Sequence, residues 1–101
     1  MGWATRHIEK LQAGAVVQFR PRGHSMTGRV NDGDLVTVQP LGNDALNVGD
    51  VVLCRVRGAE YLHLVKAERA GRYLIGNNRG GVNGWVSRRS VYGVMREAVR
   101  E

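Results

Sequence analysis

The chain has 101 residues, 15 of them Lys or Arg and 9 Asp or Glu, for a formal net charge of +6; 43% are hydrophobic and one is cysteine. That length supports one domain with one small core. A single thiol excludes an internal disulfide and fits a reducing, cytoplasmic setting, and there is neither an apolar run of the roughly 18 residues that span a bilayer nor a basic start leading into an apolar stretch.

In chain order, Thr5 is placed to cap a short helix over residues 6–13, with Ile8 and Leu11 as its apolar stripe and Gly14 as the residue that ends it. From residue 15 onward the pattern is that of strands. The first covers 15–20. A second, over 35–39, alternates and stops at Pro40, whose missing N–H ends a ladder. Residues 51–57 are almost continuously apolar, which predicts a central strand. Arg57-Gly58-Ala59-Glu60 predicts a hairpin turn into a strand over 61–66. A short strand over 72–75, a Gly/Asn-rich loop over 76–84 and a closing strand over 91–96 complete the chain. The expectation is one all-β domain over 15–101, preceded by a short helix within 1–14.

The basic residues are mostly arginines. Side chains two apart on a strand share a face, so Arg20 with Arg22 and Arg55 with Arg57 can form a basic patch for an acidic partner or a nucleic acid. The plainer reading is a solvated outer face, and an aromatic content of 6% gives little surface on which bases can stack. Asp32, Asp34 and Asp50 adjoin glycines at turns and read as turn formers. No His or Cys beside them completes a metal site, and no cofactor is expected.

Gly23-His24-Ser25-Met26, followed by Asn31-Asp32-Gly33-Asp34-Leu35-Val36, displays a serine hydroxyl beside a turn that leads into a strand. A serine needs a base within hydrogen-bond reach to become a nucleophile. Tyr61-Leu62-His63-Leu64-Val65 supplies one on a strand. With Val48-Gly49-Asp50-Val51-Val52-Leu53 between them and Gly76-Asn77-Asn78-Arg79 after them, four short boxes follow in order. In that order they resemble the serine peptidase superfamily of bacterial signal peptidases and LexA/UmuD-type self-cleaving proteins, over about residues 15–97.

The resemblance implies coiled antiparallel β-sheets, Ser25 as nucleophile and His63 as general base, where most of the superfamily carries lysine. It also implies the backbone N–H groups of His24 and Ser25 as the oxyanion hole and Asn77 as the residue that orients the base. Lys66 is the rival base, but its spacing from His63 turns it to the other face of a strand. Signal peptidases have aspartate where Asn77 stands, and neither Asn77 nor Asn83 is a carboxylate. An amide can orient an imidazole; it cannot stabilise the imidazolium as a carboxylate does. Ala13-Gly14 reads as a helix end rather than a self-cleavage bond. The first expectation is therefore a Ser25/His63 peptidase acting on an extended peptide or protein with small residues near the cut. The alternative is a weak or inactive module of the same fold that binds a protein or nucleic acid. A basic barrel matching by chance ranks last.

Overall fold

The computed structural model describes residues 2–100; Met1 and Glu101, the outer bounds of the expected units, lie outside the described residues. Helix α1 covers Thr5–Gln12 and its N-cap is Ala4, without a side-chain cap, so Thr5 is the first helical residue rather than the cap. Burial explains the shift. Ala4 is fully buried and, with Ile8 and Leu11, extends the apolar stripe by one turn into the core. At the other end Gly14 adopts φ +91°. Its N–H bonds to Leu11 O and that of Ala15 to Lys10 O, a Schellman ending.

Seven strands form one antiparallel sheet: β1 Val17–Phe19, β2 Leu35–Pro40, β3 Val51–Val56, β4 Ala59–Arg69, β5 Arg72–Gly76, β6 Val82–Ser87 and β7 Val91–Val99. Their order is β1-β2-β7-β3-β4-β5-β6. The β3–β4 turn is only Arg57-Gly58, both at positive φ (52° and 83°), because Ala59 already pairs with Val56. Strand β6 occupies ground expected as loop. Its Val82 pairs with Gly76 across an irregular register, and Gly84 and Asn83 mask its alternation.

Strand β3 is central, as its apolar run predicts, with β4 on one side and β7 on the other. Successive side chains point to opposite faces, and here both faces are covered. Val51 and Leu53 join a core cluster that includes the helix residues Ala4, Ile8 and Leu11. Val52, Cys54 and Val56 join a second cluster with Val65, Ile75, Val86 and Val94. Cys54 is wholly buried, and that burial pushes its thiol up to about 12, which makes it a small apolar residue in practice. Among the described residues no helix is long and apolar enough to cross a membrane.

Candidate active site

Ser25 lies in the loop between β1 and β2, which contains no regular element. Two buried side chains, Met26 and Val30, anchor this loop in the core. Local bonds shape it: Thr27 N–H to His24 O at 3.2 Å and Val30 N–H to Met26 O at 2.7 Å. The aspartates act as the turn formers their spacing predicts. Asp32 Oδ1 accepts from Gly23 N at 2.9 Å, and Asp34 Oδ2 from Asn31 N at 2.9 Å. Arg20 ties the loop's far end by donating to Gly33 O at 2.7 Å.

A distant residue then sets the height of the serine. Asn78 donates its backbone N–H to Ser25 O at 2.9 Å and its side-chain Nδ2 to Thr27 O at 2.8 Å. Asn78 thus holds the serine loop, a role the sequence pattern did not assign to it although it stands in the Gly76-Asn77-Asn78-Arg79 box.

His63 is 8% exposed on β4, opposite Val52 of β3. Its Nε2 lies 3.2 Å from Ser25 Oγ. Its Nδ1 lies 2.7 Å from Asn83 Oδ1. Asn83 is on β6, so the register of β6 brings it there. With the amide oxygen facing Nδ1, the ring carries its proton on Nδ1 and leaves Nε2 as acceptor for the Ser25 O–H. Tyr61 stacks on the ring with centroids 4.9 Å apart. Burial holds the His63 pKa below its ordinary value, a shift partly opposed by the hydrogen bond to Asn83. At neutral pH the imidazole is neutral, the form that accepts a proton.

The orienting position expected at Asn77 falls to Asn83. Asn77 faces its own loop, where its Oδ1 accepts from the N–H groups of Arg79 and Gly81, each at 2.8 Å. The Lys66 Nζ donates to Asn77 O at 3.0 Å and to Gly81 O at 3.5 Å. A Cβ on Gly76 would collide with Gly81 O and the Lys66 stem, and one on Gly81 with the Asn77 amide, so both glycines are needed for this close approach. Lys66 and Asn77 are fasteners of the 76–81 loop.

Among the described residues, the backbone N–H groups of His24 and Ser25 have no backbone acceptor. The arginines divide by role. Arg20 and Arg22 line the cleft that holds Ser25 and His63. Arg55 pairs with Glu60 at 2.9 Å and lies 5.7 Å from the Tyr92 ring centre, so its charge is matched locally. Arg88 closes the β2–β3 loop, donating to Gly42 O and Asp44 O.

No curated protein matches the chain. The family model described as Peptidase S24-like matches residues 6–86, a span that contains Ser25, His63, Asn78 and Asn83. The antiparallel sheet with, among the described residues, one short α-helix is the architecture the resemblance implied, and the chain belongs to the Peptidase S24-like family.

Proposed function

We propose that this chain is a serine peptidase that cuts a peptide bond through an acyl-enzyme. The observation that carries the proposal is the unbroken relay of Ser25 Oγ to His63 Nε2 at 3.2 Å and His63 Nδ1 to Asn83 Oδ1 at 2.7 Å. Ser25 Oγ attacks the scissile carbonyl while His63 Nε2 takes its proton. The N–H groups of His24 and Ser25 stabilise the resulting oxyanion. His63 returns the proton to the leaving amine as the C–N bond breaks. Water, deprotonated by His63, then attacks the ester, releasing the acid and restoring the Ser25 hydroxyl. Asn83 fixes the tautomer but adds no negative charge, so catalysis is slower than with a carboxylate there.

The test is cleavage of a diverse set of synthetic peptides, read by mass spectrometry. Wild-type cleavage that disappears in Ser25→Ala and in His63→Ala supports the proposal; cleavage that survives in Ser25→Ala removes it. The amide at position 83 also supports a second reading, a peptide-binding module of low or no activity. Under that reading wild type and Ser25→Ala bind the same peptides and neither cuts them.

A further inference from the structure

The cleft containing Ser25 and His63 extends to the start of the chain. Its volume is about 500 Å³, and beyond the two catalytic candidates it is lined by Trp3 and His7 of the helix segment, Phe19 of β1, and Met26 and Leu62. A cavity of that size accommodates a large side chain. It is larger than a peptide with only small residues near the cut would fill.

The aromatic part is a built wall. The His7 and Phe19 rings stack with centroids 4.4 Å apart, and Trp3 leans on Phe19 at 5.6 Å with the planes tilted 56°. Beneath it, Ala4, Ile8 and Leu11 are buried in the core, which locks α1 in place. Trp3 Nε1 donates to Glu60 O at 3.4 Å, and Glu60 is itself held by Arg55. Gly2 packs so closely on the Glu60 carboxylate that a Cβ there would overlap it. Trp3 is nevertheless 53% exposed, so it presents apolar surface that the fold does not cover.

Charge narrows the occupant. Arg22 lines the same cleft, and the Glu60 charge is matched by Arg55. Burial and Lys10 push His7 toward its neutral form. The rings pack on one another, His7 stacked on Phe19 and Trp3 tilted against both, rather than encircling a point as a cage for a cation would. A basic side chain is therefore disfavoured and an uncharged one favoured.

We infer that the Trp3–His7–Phe19 wall is the specificity surface of the site, receiving an aromatic or large aliphatic side chain of the peptide whose backbone lies at Ser25. This deepens the peptidase reading and rests on it for the identity of the ligand as substrate. Trp3 is then a specificity-determining residue, and α1 is part of the site rather than an appendage.

The chain has two tryptophans, and Trp85 lies on β6 outside the cleft, so the two indole N–H signals in a ¹⁵N-correlation spectrum form a probe and its control. Ser25→Ala protein is titrated with Ac-Ala-Ala-Phe-NH₂, Ac-Ala-Ala-Ala-NH₂ and Ac-Ala-Ala-Lys-NH₂. The expected result is a saturable shift of the Trp3 indole alone, with the Phe peptide binding about tenfold or more tighter than the other two. An unmoved Trp3 indole, or equal affinity for the Phe and Ala peptides, overturns the inference. In parallel, wild type and Trp3→Ala are inactivated with diphenyl phosphonate analogues of Phe and of Ala. A Phe-over-Ala rate advantage of about tenfold that collapses in Trp3→Ala supports the wall; equal rates in wild type count against it. A Trp3 shift without any serine adduct keeps the pocket and removes the peptidase reading. Adducts formed at equal rates, with a silent Trp3, keep the peptidase and remove the pocket.

Discussion

His63 stands on β4, a strand flanked by β3 and β5, whereas Ser25 stands in a loop without regular structure. His63 is placed by ladder hydrogen bonds and two buried core clusters. Ser25 is placed by Met26 and Val30 below it and by a few polar fasteners, of which Asn78 is the most direct. The two halves of the site therefore differ in what a substitution does. Changes around His63 disturb the sheet. Changes to the polar fasteners around Ser25 leave the sheet intact and alter the distance over which the proton moves. A hydroxyl held by few bonds can be misplaced cheaply, and a displacement of about 1 Å can cost roughly 100-fold in rate.

The largest effects break the comparison outright. Ser25→Ala and His63→Ala each lower peptide cleavage by at least about 1,000-fold. Ser25 is exposed, so thermal melting of Ser25→Ala matches wild type, while His63→Ala also changes a buried strand position and melts lower. Next, Asn78→Ala removes the bond to Thr27 O and lowers the rate by roughly 10- to 100-fold with little change in melting, since Asn78 is exposed. An unchanged rate in this variant would mean that the Asn78 side chain does not set the serine's position and would leave that task to its backbone N–H on Ser25 O.

Asn83→Asp sharpens the base side. A carboxylate at Nδ1 stabilises the imidazolium and raises the rate by about tenfold. It also moves the acid limb of the pH–rate profile upward, because a nearby negative charge raises a histidine pKa.

In wild type the sign is the opposite. Burial holds the His63 pKa below 6.5, so the rate is level through neutrality and falls only at more acidic pH. The same shift links to folding. Between the unfolded value of 6.5 and the lower folded value, the unfolded chain binds the proton and the folded chain does not, so stability drops as pH falls through that window. A profile that begins to fall above pH 7 would contradict the buried neutral imidazole.

The smallest effect separates the two asparagines. Asn77→Ala strands the N–H groups of Arg79 and Gly81 and costs about 1–3 kcal/mol of stability. Its acid limb stays where wild type has it, because Asn77 does not touch His63.

Much of this arrangement was readable in the sequence where the signal is local. The unbroken apolar run of β3 marks a strand with both faces covered, and Ser25 and His63 stand out because each sits in a short box with a clear turn or strand pattern. What was hidden depends on register. Asn83 reaches His63 only because Val82 pairs with Gly76 across an irregularity between Ile75 and Gly76, and nothing in a Gly/Asn-rich stretch announces that pairing. Asn78 acts on a residue 51 positions away, and Trp3 on one 57 positions away. Asn77 was the natural candidate by position in its box. Lys66 and the two flanging glycines fold its loop inward, so its amide closes that loop instead.

The central question is whether His63 activates Ser25. The most direct measurement is intact mass after treatment with a fluorophosphonate, for wild type, Ser25→Ala and His63→Ala, with the wild-type rate followed against pH. Activation of Ser25 by His63 gives a single adduct in wild type, none in Ser25→Ala, a rate lowered by at least about 1,000-fold in His63→Ala, and a wild-type acid limb below 6.5. Failure of wild type to label at any pH, or labelling of His63→Ala at the wild-type rate, would contradict it.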